Sequence, residues 1–230
     1  MKSIYNFIIK PLTKRYNNTK KINGKTLVLN SSIECHNFVS KNAVVIKTPL
    51  AYKTPIKEGD EVIVHHNIFR RFYDMKGREK NSGSFFTEDL YFCDINQIYL
   101  YKNKNKLKTN LNYCFIKPIL NDSVFDKSKE KPLIGIVKYS NNSLEEKGIT
   151  EGTLIVFTPN SEFEFIVNNE RLYCMKSNDI VLTHEYQGNE KEHNPSWAYS
   201  GEGIDKSSRR TDCRHRGRCV CGPTKECSCY

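Results

Sequence analysis

The chain has 230 residues, enough for one large or two small domains, and its 38% hydrophobic and 11% aromatic content can fill ordinary cores. Its net charge of +10 suits an anionic partner such as nucleic acid, a membrane surface or an acidic protein face. No apolar run approaches the roughly 18–20 residues of a membrane span. Ile4–Ile9 is too short for the apolar core of a secretory leader and no small-residue cleavage site follows it, so a cytoplasmic protein is expected.

In chain order, residues 1–24 read as a basic arm. Residues 1–25 hold seven Lys/Arg and no acid, and Asn23-Gly24 is a turn dipeptide. Short β-rich segments follow at Thr26–Leu29, Ala43–Ile46 and Glu61–Val64, with a polar connection at Ser31–Asn42. His65–Phe86 is a long excursion rich in charge and aromatics, after which Leu90–Cys93 and Gln97–Leu100 read as two strands around a polar turn. Lys102–Lys108 has the composition of a linker. Beyond it, strands are predicted at Tyr113–Ile119, Leu133–Val137, Thr153–Phe157, Phe163–Val167, Leu172–Met175 and Ile180–Leu182, and Asn168-Asn169 is a hairpin signal. No stretch of 10–15 residues in residues 25–187 has the apolar period of an amphipathic helix, which excludes a βαβ architecture.

Two phrases recur. Ile56-Lys57-Glu58-Gly59-Asp60 and the strand after it return as Ile149-Thr150-Glu151-Gly152-Thr153, 93 residues later, and Leu90–Leu100 aligns without a gap with Leu172–Leu182, 82 residues later. Two ordered matches imply an internal duplication of about 80 residues per copy. Gly59 and Gly152 stand where the chain enters a strand, the place for a positive φ or a tight corner. The predicted organisation is an arm at 1–24, β-units at 25–102 and 112–187 joined by a linker at 103–111, and a tail at 188–230.

The second unit resembles the GroES (chaperonin-10) family. The resemblance is carried in order by Phe115-Ile116-Lys117-Pro118, a polar loop, Gly135-Ile136-Val137, Ile149-x-x-Gly152 with Leu154–Phe157, and Leu172-Tyr173 followed by Asp179-Ile180-Val181-Leu182. The first unit is similar through Ile56–Asp60, and the pair resembles the double-domain co-chaperonins of plastids. The resemblance implies an all-β chain of two tandem irregular β-barrels, forming a homo-oligomeric ring that caps a GroEL-type chaperonin. It also implies docking through a mobile loop with an apolar tip. Carried onto this sequence, that loop is Leu120–Lys131 and its contacts are Leu120, Val124 and Phe125. A loop that orders on docking keeps each contact weak, and multivalency restores avidity.

The tail holds five of the nine cysteines. Cys219-x-Cys221 and Cys227-x-Cys229, five residues apart around Gly222-Pro223, can bring four thiolates to one point, a donor set suited to zinc. Thiol redox pairing and an inert tail are the alternatives. Cys35, Cys93, Cys114 and Cys174 fall in β-rich segments and are expected to be buried free thiols.

No P-loop, GxSxG, HExxH or dinucleotide fingerprint occurs, so no enzyme activity is expected. His65-His66 with Asp74 could form a small polar site, but neighbouring strand residues point to opposite faces. The leading expectation is a co-chaperonin. The alternatives are a phage structural or assembly scaffold without chaperonin binding, acting in the host cytoplasm, and a nucleic-acid-binding accessory. The last is disfavoured because no aromatic-plus-basic stripe is evident in the units.

Overall fold

A computed structural model describes residues 2–22, 24–28, 31–103, 106–121, 129–184, 188 and 190–199 of the chain. The described residues are predominantly β, and the chain divides into two compact units with the boundary between Leu107 and Lys108.

The first unit is built on a seven-stranded sheet. Its strands are β1 (Phe7–Pro11), β4 (Asn42–Lys47), β5 (Glu61–Val64), β8 (Phe85–Thr87), β9 (Leu90–Cys93), β10 (Ile98–Asn103) and β11 (Lys106–Thr109), in the order β11-β10-β5-β4-β1-β9-β8. Two separate hairpins accompany it, β2 (Thr19–Ile22) with β3 (Lys25–Val28), and β6 (Arg71–Tyr73) with β7 (Glu79–Asn81).

The second unit is a six-stranded sheet of β12 (Tyr113–Leu120), β13 (Glu130–Tyr139), β14 (Leu154–Phe157), β15 (Phe163–Val167), β16 (Glu170–Lys176) and β17 (Ile180–His184), in the order β15-β16-β12-β13-β14-β17. Its two short helices are α1 (Asn142–Glu145) and α2 (Ser196–Tyr199).

With the edge strand β11 set aside, replacing β1, β4, β5, β8, β9 and β10 by β12, β13, β14, β15, β16 and β17 turns one strand order into the other. The irregularities repeat too. The register slips between Ile8 and Ile9 where β1 meets β4, and between Phe115 and Ile116, 107 residues later, where β12 meets β13. Gly59 (φ 88°) and Gly152 (φ 89°) occupy equivalent corners, and each donates its N–H at 2.8 Å to the second strand of its sheet, at Val45 and Val137 respectively. That left-handed φ is where glycine is favoured. Asn168 and Asn169 both have positive φ, the geometry of a two-residue hairpin turn between β15 and β16.

Each core follows from strand alternation. In the second unit Cys114 and Ile116 of β12 meet Val137, Leu144, Ile149, Ile155, Phe157 and Met175. Ile119, Ile136 and Leu154 form a separate small cluster. In the first unit Phe7, Ile9, Val45, Val64, Ile98 and Leu100 are among the buried residues.

Two expectations are corrected. The basic arm at 1–24 contains β1, which lies between β4 and β9 in the sheet, with Phe7, Ile8 and Ile9 at 0%, 2% and 0% exposure. The surrounding lysines set the charge of this stretch, but the continuous apolar run Phe7-Ile8-Ile9 decides its burial. The linker at 102–108 is mostly strand, the end of β10 and most of β11. The β-rich stretch expected from Thr26 onward is a strand, β3, which among the described residues pairs only with β2 and stands apart from the seven-stranded sheet.

Candidate functional site

The shared strand order puts one connection at the same place in each unit, between the first and second strands of the sheet. In the second unit it spans 121–129, and in the first it spans 12–41.

In the second unit the base of this connection is a paired strand end. Leu120 is the last residue of β12, half-buried and opposite Glu130, and its N–H donates to the Lys191 carbonyl at 2.7 Å. Asn121 N–H donates to the Lys129 carbonyl at 3.0 Å. Leu120 is therefore a sheet residue at the root of the loop, while Val124 and Phe125 lie outside the described residues.

In the first unit the connection carries the β2–β3 hairpin, on which Leu27 is 52% and Val28 58% exposed. The expected loop at Ser31–Asn42 is different in kind. Cys35, Phe38 and Val39 there are buried, and Asn17 N–H donates to the Phe38 carbonyl at 2.7 Å. Leu27 and Val28 were missed because their apolar run reads as a core strand. The signal that locates them is Ile9-Lys10-Pro11, which repeats as Ile116-Lys117-Pro118 and marks β1 as the counterpart of β12.

Each root is held by a different clasp. In the first unit Arg15 donates from Nε to the Phe69 carbonyl (2.5 Å) and from its terminal nitrogens to Asn81 Oδ1 (2.7 Å) and the Arg70 carbonyl (3.1 Å). Tyr16 donates its hydroxyl to the Ile33 carbonyl and accepts the Arg71 N–H, both at 2.7 Å, while the Arg71 guanidinium lies 5.0 Å from the centre of the Tyr16 ring. Tyr73 N–H donates to Glu34 Oε1 at 2.9 Å. The connection is thus tied to the β6–β7 hairpin, an element with no counterpart among the described residues of the second unit.

In the second unit Glu130 is the hub. Its carboxylate pairs with the Arg171 guanidinium, accepts the Tyr173 hydroxyl at 2.5 Å, and lies 3.6 Å from His193 Nε2. Arg171 also meets Glu164 at 2.9 Å and donates its backbone N–H to Asn194 Oδ1 at 3.1 Å. Lys117 bridges Glu170 (3.3 Å) and Glu192 (2.7 Å). Burial lowers the Arg171 and Lys117 pKa values, but the surrounding carboxylates outweigh it and raise both. Burial, with the Glu130 hydrogen bond, pushes the Tyr173 hydroxyl up. The result is a strap, residues 191–194, fastened across the root of the loop.

The histidines are not arranged as expected. β5 ends at Val64, and His65 starts a 3₁₀ turn over His66–Ile68 rather than continuing a strand. The two imidazoles stack with centres 4.4 Å apart, and His36 lies 5.3 Å from His66. Burial, helped by Lys41 and the neighbouring imidazoles, lowers His65 to about 4 and His66 to about 2, so both are neutral at pH 7. Asp74 sits elsewhere, accepting the Lys76 and Arg78 amides in the β6–β7 turn.

Cys35, Cys93, Cys114 and Cys174 are buried free thiols. Burial pushes Cys114 up to about 12 and raises Cys93 and Cys174, which leaves them inert at neutral pH. Cys219, Cys221, Cys227 and Cys229 lie outside the described residues. Among the described residues no group of three or more His, Cys, Asp or Glu has the geometry to hold a metal ion, and no helix is long and apolar enough to cross a membrane.

No family model matches the chain. It is 28% identical over 114 residues to a protein named triosephosphate isomerase from Mesomycoplasma hyorhinis, a match covering 48% of this chain and 45% of that protein. The chain thus spans less than half the length of that relative, and at this identity the match assigns it neither that activity nor a family.

Proposed function

We propose that the chain is a co-chaperonin-like protein, two tandem GroES-like modules that cap a GroEL-type chaperonin ring without catalysing a reaction. The observation that carries the reading is the position of one connection in two copies of one strand order. Both sheets release it between their first and second strands, where the family resemblance puts the docking loop. In the first unit that connection presents Leu27 and Val28, two exposed aliphatic side chains on a hairpin outside the sheet. In the second unit it contains Val124 and Phe125, with Leu120 at its root.

The chemistry suits reversible capture. A short apolar tip buries only a few side chains in a partner groove, each fully buried one contributing about 1.5–3 kcal/mol. Two tips per chain, multiplied around a ring, raise avidity with no stronger single contact. A ring also needs an edge to join. β17 ends its sheet with Val181 58% and Leu182 60% exposed, whereas its counterpart β10 is covered by β11. An open apolar edge of this kind is a natural seat for a second copy. The proposed zinc site at Cys219, Cys221, Cys227 and Cys229 rests on thiolate chemistry alone and is independent of docking.

The test is co-sedimentation of the full chain with a GroEL-type ring, with and without ATP or ADP. Three variants accompany it: Leu27→Asp/Val28→Asp, Val124→Asp/Phe125→Asp, and the four substitutions combined. Nucleotide-dependent retention that weakens in each pair and disappears in the combined variant is expected. Absence of retention under every nucleotide condition contradicts the reading and favours a scaffold role.

A further inference from the structure

The β6–β7 hairpin is an addition to the duplicated fold, since β14 and β15 are joined by five residues where β5 and β8 are joined by twenty. Residues 70–81 hold five Lys/Arg and two acids. Directly opposed residues of an antiparallel pair share a face, so the register separates two faces. Arg71, Tyr73, Glu79 and Asn81 lie on one and Phe72 and Lys80 on the other.

The first face is anchored at its Arg71–Asn81 end, while Tyr73 on it is 51% exposed and Glu79 is exposed too. Arg71 pairs with Glu79 at 2.6 Å and covers the Tyr16 ring, and Asn81 accepts from Arg15. The second face, the outer one, takes no part in those contacts. Phe72 is 38% exposed beside Lys80, and the next cross-strand position brings Arg78. Met75 and Lys76 form the exposed tip, Met75 completely so. Both acids of the stretch are already engaged, Asp74 by the turn amides and Glu79 by Arg71.

We infer that the outward face of the β6–β7 hairpin binds single-stranded nucleic acid, with Phe72 stacking on a base and Lys76, Arg78 and Lys80 neutralising phosphates. Single-strand binding combines aromatic side chains that stack on bases with cations that track the phosphates, and this face sets both side by side. Glu79 is charge-paired with Arg71, and the cations of the stretch outnumber the remaining acid, Asp74, so the hairpin presents net positive charge to a polyanion. Chain geometry favours an extended strand, because Arg78 and Lys80 lie two residues apart on one face, about 6.8 Å along the ribbon. This inference stands apart from chaperonin docking, which uses a different hairpin.

The experiment is fluorescence anisotropy of labelled (dT)20 and U20 with the full chain from 50 to 300 mM NaCl. Its variants are Phe72→Ala and Lys76→Ala/Arg78→Ala/Lys80→Ala, both at exposed positions, with thermal unfolding to verify that they fold. Binding by the parent chain is expected, weakened about tenfold by Phe72→Ala with an unchanged salt slope. Removing the three cations should flatten the slope of log K against log salt by about 2. Three outcomes overturn the inference. One is no binding at 50 mM NaCl, and another is binding unaltered in both variants, which would place it in other basic segments. The third is equal competition by polyglutamate, which would point to an acidic protein partner.

Discussion

In the first unit the connection between the opening two strands of the sheet runs thirty residues and is fastened by Arg15 and Tyr16 to an extra hairpin. In the second it runs nine residues and is fastened by Glu130 to Arg171, Tyr173 and a strap from residues 191–194. The sheets share strand order, register slip and glycine corner. Where the connection leaves is therefore a property of the duplicated fold, while what restrains its root is assembled separately in each copy. The two loops can thus differ in stiffness and reach while departing from equivalent points.

The strongest way to break this comparison is to remove β1. Deleting residues 2–11 takes a central strand from the first sheet, with Phe7, Ile8 and Ile9 all buried. The first unit should lose its fold, while the amides of β12–β17 stay protected from hydrogen exchange. A first unit that survives intact would mean the sheets are not equivalent. A single Ile9→Ala should cost about 2–5 kcal/mol in urea unfolding.

That deletion also marks where the sequence is opaque. β5, β9 and β15 keep the bounds that their β-branched and aromatic runs suggest, and the corners at Gly59 and Gly152 follow from the repeat. β1 was hidden because seven cations in 25 residues drew attention to charge, whereas Phe7, Ile8 and Ile9 decide burial. The His65–His66 stack was hidden for another reason: a 3₁₀ turn begins just past Val64, and strand alternation stops applying there. The clasps could not be read at all, because Arg15 with Asn81 and Glu130 with Arg171 are brought together by tertiary structure across 66 and 41 residues.

The next largest effect separates the clasps. Glu130→Ala leaves Arg171 with Glu164 as its carboxylate partner and removes the acceptor of the Tyr173 hydroxyl, and should destabilise the second unit by about 1.5–3 kcal/mol. It should also speed exchange at the Leu120 and His193 amides, which hold the strap. Arg15→Ala removes hydrogen bonds to two carbonyls and a side-chain amide, and should cost the first unit about 2 kcal/mol. Each change should leave the other unit's denaturant midpoint in place. Equal shifts in both would show that the roots are not independently restrained.

A smaller difference is in pH response. His65 and His66 are held neutral in the folded first unit, with pKa values lowered from 6.5 to about 4 and about 2. Below pH 6.5 the unfolded chain binds protons that the folded unit refuses, so stability falls with pH. The His65 contribution is lost between pH 6.5 and about 4, and that of His66 continues to about 2. Residue-resolved exchange at pH 7 and pH 5 should show the first unit loosening. His66→Phe should blunt that response, and a response unchanged by the substitution would contradict the buried-neutral assignment.

The central claim is that both connections dock on one partner, and hydrogen–deuterium exchange of the full chain tests it most directly, with and without a GroEL-type ring and nucleotide. The account predicts protection on ring binding in residues 24–31 and 121–129, with the clasp residues Arg15 and Glu130 unchanged. Protection confined to other segments, or none in the presence of ring and nucleotide, would contradict it.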